Sequence, residues 1–231
     1  MSAPGPCGRM PRKNQTVPDI DARNAARILR HDKLVRATHW INAFSFLALV
    51  VSGIAILIAH PRFYWGETGY FDTPAAFELP LPVDLDQTGW GRNVHFLAAW
   101  ITVLNGATYV SWGLLSGHFR HNLLPGDASK AAPVRSGYNT AQKLAYIGVV
   151  FGLLPVSILS GLTLSPAVTA AWPVLFRIFG GRQSARTIHF FVADLLALFL
   201  LVHVAMTIVS GFGNQIRSMI TGAYSVPSEE R

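Results

Sequence analysis

Four long apolar segments constrain this chain more than any other feature of its sequence. They run approximately over residues 37–59, 93–116, 142–164 and 187–212, and a helix needs about 20 mainly apolar residues to cross a bilayer. Each segment begins or ends near tryptophan, tyrosine or arginine, which are typical of membrane–water interfaces. We therefore expect an all-α integral membrane four-helix bundle, without a separate soluble domain or an internal repeat.

The composition agrees with a membrane location. Only 13% of the residues are charged, whereas soluble domains have about 25%. The net charge is +7, but the basic residues lie between the apolar segments and not along one helical face, which argues against nucleic acid as a partner. The single cysteine, Cys7, excludes an intrachain disulfide and a cysteine-ligated iron–sulfur cluster.

The chain divides into three parts. Residues 1–30 lack the apolar core of a cleavable signal peptide and are rich in proline, glycine and arginine, so we expect a disordered basic tail. Residues 31–222 hold the apolar segments and are expected to form the membrane domain. Residues 223–231 are expected to form a short C-terminal tail.

Lysine and arginine are unevenly distributed among the flanks. Fourteen lie in the N-terminal flank, the loop between the second and third segments and the C-terminal tail, whereas five lie in the other two loops. Because basic flanks stay in the cytoplasm, both termini are expected to be cytoplasmic. The expected location is the bacterial cytoplasmic (inner) membrane, crossed several times.

The loop at residues 61–92 is longer than a simple connector requires. It combines prolines, glycines and acidic residues with many aromatic residues. A flexible connector is one interpretation. The aromatic content favours the other, an ordered surface that binds a partner.

Four of the eight histidines lie inside the apolar segments: His39, His95, His189 and His203. An ionisable residue within a membrane span is costly, and it is by default a candidate functional residue. One such histidine could be a core residue that is bonded to a nearby carbonyl. Four in a regular arrangement favour a shared role.

The spacing of these histidines predicts two sites. His189 and His203 are fourteen residues apart, so they share a helical face and lie about 21 Å apart along the axis. Alternating helix directions put His39 at the level of His203, and His95 at the level of His189. An iron porphyrin, with one axial position on each face, fits such a pair better than zinc, which prefers four ligands.

Glycines and arginines accompany the predicted sites. Gly53 lies fourteen residues after His39, and Gly106 lies eleven after His95, each on the ligand face. A flat macrocycle needs such space, although glycine is also common in membrane helices. Three arginines lie three residues before one of these histidines: Arg36, Arg92 and Arg186. Each could pair with a haem propionate or with lipid headgroups.

Four stretches together carry a resemblance: RATHW at 36–40, GRNVH at 91–95, YNTAQKLAY at 138–146, and RTIHFF with LLVHVAM within 186–206. The combination resembles the bacterial cytochrome b561 and Ni/Fe-hydrogenase b-type cytochrome family. That family includes formate dehydrogenase gamma and thiosulfate reductase cytochrome b subunits. The resemblance covers about residues 30–222 and implies two b-type haems with the four histidines as iron ligands.

The resemblance also implies a function. It implies an electron-transfer subunit, and not a complete enzyme. Such a subunit works between the membrane quinone pool and a peripheral, molybdopterin-dependent oxidoreductase bound through loop 61–92. A quinone site is implied near the cytoplasmic haem, at Asn139, Gln142 and Lys143. Helix capping by Asn139 is the alternative interpretation of this stretch.

Three other functions remain open on the sequence alone. The partner could be a Ni/Fe hydrogenase. The chain could be a stand-alone cytochrome b561 that oxidises superoxide and reduces quinone. It could also be a haem-free transporter or assembly protein whose histidines are core residues or a metal path.

Overall fold

Helices dominate the part of the chain that a computed structural model describes, residues 27–29, 32–69, 73–117 and 140–225. The elements are, in order, β1 Arg27–Leu29, α1 Lys33–Ala59, β2 Arg62–Phe63, β3 Phe77–Glu78, α2 Gln87–Leu115, α3 Thr140–Ile147, a π-helical segment Gly148–Leu153, α4 Leu154–Thr163, α5 Pro166–Ala171, α6 Pro173–Ile178, α7 Arg182–Val209, α8 Phe212–Thr221 and β4 Ala223–Ser225.

Three described helical stretches are long and apolar enough to cross a membrane: Lys33–Ala59, Leu144–Thr163 and Arg182–Val209. They correspond to the first, third and fourth predicted segments, which confirms that the chain is a membrane protein. The second segment forms α2, which has 29 residues but is not among these three. Asparagine, threonine, tryptophan and tyrosine interrupt its apolar residues, so a fourth span stays a prediction.

Small side chains at seven-residue intervals join α1 to α2. Four of the buried positions on α1 are seven residues apart: Thr38, Ser45, Ser52 and Ala59. Three on α2 keep the same interval, Gly91, Ala98 and Asn105, and the other buried residues, Ala55 and Gly113, are also small. Short side chains let two helix backbones approach closely, which is how helices associate within a bilayer. We call this pair of antiparallel helices the first hairpin.

The third predicted segment is one continuous helix with a π-helical stretch inside it. Pro155 has no backbone N–H, so the regular hydrogen-bond ladder cannot continue through it. The wider turn lies just before this proline, where the N–H of Leu154 donates to the carbonyl of Val149, five residues earlier. α4 continues beyond it and packs against α7, and we call α3, α4 and α7 the second hairpin.

An extended stretch, residues 60–66, lies across the start of α7, and we call it the docked segment. Its alternate carbonyl oxygens accept hydrogen bonds from α7: those of His60, Arg62, Tyr64 and Gly66. The donors are the guanidinium of Arg186, the hydroxyl of Thr187 (2.8 Å) and the backbone N–H groups of Gln183 and Ser184 (3.0 and 3.2 Å). Two N–H groups that a helix start would leave unpaired are thereby satisfied.

Beyond the docked segment, β2 and β3 form an antiparallel hairpin, with Arg62 opposite Glu78 and Phe63 opposite Phe77. The buried ring of Phe63 stacks on Phe77 at 4.5 Å between centroids and packs against Phe190 of α7 at 4.6 Å. Arg62 and Glu78 form an ion pair at 3.0 Å. The described part of loop 61–92 is therefore ordered, and its binding of a partner stays a prediction.

The two ends of the described chain meet at one end of the helices. β1 and β4 pair in antiparallel fashion, with Ile28 opposite Tyr224. The guanidinium of Arg36 and the indole N–H of Trp40 donate to backbone carbonyls of α8. We call this the tail end, and we call the opposite end, which carries residues 60–69, 73–86 and 165–186, the loop end.

The predicted division into three parts stays a prediction. β1 lies inside the predicted tail 1–30, and β4 begins the predicted tail 223–231. Residues 1–26 and 226–231 lie outside the described residues. The disorder expected of the N-terminal tail therefore stays a prediction for all but these three strand residues. The expected loop 165–186 also contains two short helices, α5 and α6, and the start of α7.

Replacing Gly181 with alanine is expected to lower the free energy of unfolding by about 1–3 kcal/mol, because residue 181 has φ 112° and ψ 172°, a conformation nearly restricted to glycine. An added Cβ would also collide with the carbonyl of Gly66 in the docked segment. Thermal unfolding of the purified protein in detergent measures the loss. Gly89→Ala, with no described neighbour within 4 Å of the new Cβ, should keep the wild-type Tm, and an equal drop in both variants would contradict the docking.

Candidate functional site between the two hairpins

The four membrane histidines line the space between the two hairpins. α1 carries His39, α2 carries His95, and α7 carries both His189 and His203. Within the described residues, the helices of each hairpin approach one another far more closely than the two hairpins do. The histidines therefore stand where the helix backbones leave the most room.

The structure brings together the two pairs that the topology predicted. The rings of His39 and His203 lie 6.4 Å apart between centroids at the tail end, and we call them the tail-end pair. The rings of His95 and His189 lie 6.2 Å apart near the loop end, and we call them the loop-end pair. Their planes are inclined by 53° and 72°, respectively.

These separations fit a metal held between two imidazoles. Two metal–nitrogen bonds of about 2 Å, with about 1 Å from each nitrogen to its ring centre, place the ring centres about 6 Å apart. Direct packing of two rings would allow a shorter distance, and a four-ligand site would need further donors. No group of three or more His, Cys, Asp or Glu side chains comes together in the part of the chain that the structure describes. The donor set at each level is thus a pair.

The loop-end pair is held by hydrogen bonds from behind. His95 Nδ1 lies 3.0 Å from the hydroxyl of Ser52 on α1. His189 Nδ1 lies 2.9 Å from the carbonyl oxygen of Ser157 and 3.1 Å from the hydroxyl of Ser160 on α4. With both Nδ1 atoms engaged, Nε2 is the nitrogen left for a metal on each ring, as is usual for histidine ligands.

A glycine follows each of these serines and lies against the same imidazole. A Cβ on Gly53 would lie 3.6 Å from His95 Cε1, and a Cβ on Gly161 would lie 3.2 Å from His189 Cε1. Gly53 therefore lies at the level of the other pair, as its spacing from His39 predicted. Gly106 has no described atom within 4 Å of a built Cβ. Its use as space for a macrocycle stays a prediction.

This correspondence between the hairpins was not predictable from the sequence. Ser52–Gly53 on α1 and Ser160–Gly161 on α4 support one histidine each, although no internal repeat was expected. The only signal was the Ser-Gly dipeptide, which occurs five times in the sequence and stands at these two positions within VVSGIAIL and SILSGLTL. A match of two residues is too short to identify without the packing that turns both toward a histidine.

The tail-end pair is held differently. His39 Nδ1 is buried and has no hydrogen-bond partner among the described residues. The His203 side chain is exposed, and its ring stacks on Phe199 at 6.0 Å. Neither imidazole has a serine behind it in the described ranges, so the two levels differ in how firmly their ligands are oriented.

The three arginines that precede the histidines have different surroundings. The guanidinium of Arg186 donates to carbonyls of the docked segment and lies 4.9 Å above the ring of Phe63. Arg36 donates through Nη1 to the carbonyl of Ile220, while its buried Nε has no partner among the described residues. Arg92 is exposed. Propionate contact stays a prediction for all three, and Arg36 retains a free buried donor that such a contact would use.

The remaining candidate residues are His60, at the end of α1, and residues at or beyond the limits of the described ranges. Burial, followed by the positive charge of Arg186, lowers the pKa of His60, so this interfacial histidine is neutral at pH 7. Asn139 lies outside the described residues, as do His31, His118 and His121. Gln142 and Lys143 lie on α3, and only their backbone is described. The predicted quinone site therefore stays a prediction.

A helical membrane protein with opposed imidazoles between its hairpins has the features of a membrane cytochrome of b type. The chain belongs to the prokaryotic cytochrome b561 family, whose model matches residues 30–222. This confirms the family that the histidine motifs indicated. Members of this family bind b-type haem, which agrees with the fit of the two pairs to an axially ligated iron.

One relative extends the comparison. The chain is 30% identical over 192 residues to the putative protein-methionine-sulfoxide reductase subunit YedZ1 of Azospira oryzae, an alignment that covers 76% of this chain and 88% of the relative. No solved structure matches the chain.

Replacing Gly161 with alanine is expected to reduce the haem bound per chain more than replacing Gly53 does. The new methyl group would lie 3.2 Å from His189 Cε1 in the first case and 3.6 Å from His95 Cε1 in the second. Only the first distance forces the ring to move. A pyridine haemochrome assay on each purified variant measures the difference, with Gly148→Ala as the unaffected control. Equal haem in the Gly161→Ala and Gly53→Ala variants would argue against a tight contact.

Proposed function

We propose that this chain is a four-helix, di-haem cytochrome b that carries electrons between membrane quinone and a peripheral oxidoreductase bound at its loop end. The observation that carries the proposal is the pair of opposed imidazoles at two levels, 6.4 and 6.2 Å apart. Haem iron supplies one-electron chemistry when it is bound, and the protein supplies ligands, orientation and a surrounding that excludes water.

The two levels suit transport across the membrane. His189 and His203 are about 21 Å apart along α7, which is most of the roughly 30 Å hydrocarbon core. One haem at each level would divide the crossing into two shorter steps. α2, with 29 residues, is long enough to be the fourth span of the bundle.

The proposed orientation places the tail end in the cytoplasm of a bacterium and the loop end outside its inner membrane. Fourteen of the nineteen lysines and arginines lie in segments that the four-span topology assigns to one side. The pairing of β1 with β4 supports a common side for both tails. The quinone site that the family resemblance suggests, at Asn139, Gln142 and Lys143, would then lie near the tail-end haem.

The loop end has the features of a surface for another protein. Large apolar side chains are exposed on the docked segment and on the short helices beside it: Trp65 (67%), Trp172 (62%) and Ile178 (69%). Aromatic residues are enriched at protein interfaces. The docked segment also contacts α7 within three residues of His189, so a partner bound there would lie close to the loop-end haem.

The name of the relative suggests the class of partner. Because YedZ1 is described as a subunit of a putative protein-methionine-sulfoxide reductase, we propose a peripheral reductase of that kind, with a molybdopterin centre, as the partner here. A Ni/Fe hydrogenase is the alternative partner. A stand-alone enzyme that oxidises superoxide would not need the ordered apolar surface at the loop end.

Alanine at any one of His39, His95, His189 or His203 is expected to halve the haem content, from two b haems per chain to one, because each iron loses one of its two axial ligands. Reduced-minus-oxidised spectra and a pyridine haemochrome count measure this. His60→Ala, which changes a histidine outside both pairs, should keep both haems. A protein without haem, or with a haem content indifferent to all four substitutions, would overturn the proposed function.

Replacing the exposed Trp65 with alanine is expected to slow electron transfer to the partner at least several-fold, without loss of haem. The assay combines the protein in lipid nanodiscs, a quinol, and the purified peripheral methionine-sulfoxide reductase of the source organism, and it follows sulfoxide reduction. Trp100→Ala removes a similarly exposed tryptophan (54%) from the middle of α2 and serves as the control. Equal rates in both variants would exclude Trp65 from the docking surface, and absence of any transfer in the wild type would exclude this partner.

A further inference from the structure

Two serines, one on each hairpin, stand directly behind the loop-end pair. We propose that Ser52 and Ser160 are positioning residues that fix the tautomer and orientation of His95 and His189 and lower the reduction potential of the iron held between them. This inference rests on the proposed haem ligation, and it concerns the protein side chains that act on that iron.

The hydrogen bonds assign the tautomer of both imidazoles. The Ser52 hydroxyl lies 2.6 Å from the carbonyl of Ala48, and the Ser160 hydroxyl lies 2.7 Å from that of Val156. A carbonyl can only accept, so each hydroxyl spends its single proton there. Each serine oxygen must therefore accept a hydrogen bond from Nδ1–H of the imidazole next to it. The proton is then on Nδ1, and Nε2 is left without a proton.

A backbone carbonyl supports one of the two imidazoles as well. His189 Nδ1 also lies 2.9 Å from the carbonyl of Ser157, three residues before Ser160. Each imidazole is thus clamped at Nδ1 by a serine oxygen, and His189 is clamped by this carbonyl in addition. The serine occurs twice in the same role, once on α1 and once on α4.

Such a clamp is expected to change the reduction potential of the iron as well as the orientation of the ring. An acceptor on Nδ1–H makes the imidazole more basic, and a more basic ligand stabilises ferric iron more than ferrous iron. The reduction potential therefore falls as the acceptor strengthens. Two clamped ligands act on the same iron, one from each side, so their effects have the same sign.

The tail-end pair lacks this device within the described residues. His39 Nδ1 is buried with no hydrogen-bond partner there, and His203 is exposed on α7. Removal of either serine should therefore change one haem and leave the other unchanged. This selectivity separates a role in positioning from a general loss of stability.

The test is a potentiometric titration of the purified holoprotein and of Ser52→Ala, Ser160→Ala and Ser45→Ala variants, followed in the haem α-band. Ser45 is the matched control, because it is buried on the same face of α1 and bonds to the carbonyl four residues earlier at 2.7 Å. Its oxygen accepts from the Thr102 hydroxyl (3.1 Å) where Ser52 accepts from a histidine. We expect the loop-end step to move to a more positive potential in the first two variants and neither step to move in the third. The His95→Ala and His203→Ala variants, each expected to lack one haem, show which titration step belongs to which haem.

The outcomes separate this inference from the proposed function. Two haems with unchanged potentials in Ser52→Ala and Ser160→Ala, or equal shifts of both steps, would overturn the serine role alone. A wild-type protein without haem would overturn the ligation on which the role rests. If both alanine variants lose haem, Ser52→Thr and Ser160→Thr, which keep the hydroxyl, should restore it with the wild-type potential, and failure to restore it would count against the inference.

Discussion

The constraint on which this structure depends is the need to satisfy an imidazole inside an apolar helix. A neutral imidazole carries one donor and one acceptor nitrogen, and an unsatisfied polar atom in hydrocarbon is costly. At the loop end a serine oxygen of the neighbouring helix removes the cost of the donor in each hairpin, and a backbone carbonyl also does so for His189. Those oxygens are in reach only because small residues let the paired helices approach closely. The packing inside each hairpin and the chemistry between the hairpins therefore have one common cause.

The docked segment connects this site to the surface. Its carbonyl oxygens receive hydrogen bonds from Gln183, Ser184, Arg186 and Thr187, all in the first two turns of α7. Those turns set the rotation and depth of the whole helix, and His189 and His203 are both carried by it. An extended loop segment thus fixes the register of the helix that supplies one ligand to each pair. This explains why a loop far longer than a connector is ordered next to the loop-end pair.

Much of the site was predictable from the sequence, because the spacing of residues on a helix and the alternating direction of spans determine face and depth without further detail. For that reason His39 was correctly placed beside His203, and His95 beside His189. The supporting serines were not predictable, since their contact with histidine depends on the rotation of α1 against α2 and of α4 against α7. The carbonyl contacts of Arg186 were missed for a related reason. They require the extended conformation of residues 60–66, which has no periodic signature. The π-helical stretch in the third segment was not predicted either, because Pro155 alone does not determine which hydrogen bonds replace the regular ones.

The pairing of β1 with β4 has a consequence for how the chain is made. β1 comes before the first membrane helix and β4 follows the last, so their partners are separated by almost the whole chain. During synthesis, residues 27–29 leave the ribosome long before residues 223–225 exist. The two strands can pair only after all the helices between them have been made. This short ribbon is therefore among the last contacts that the growing chain can form, and it joins the two ends of the helical domain.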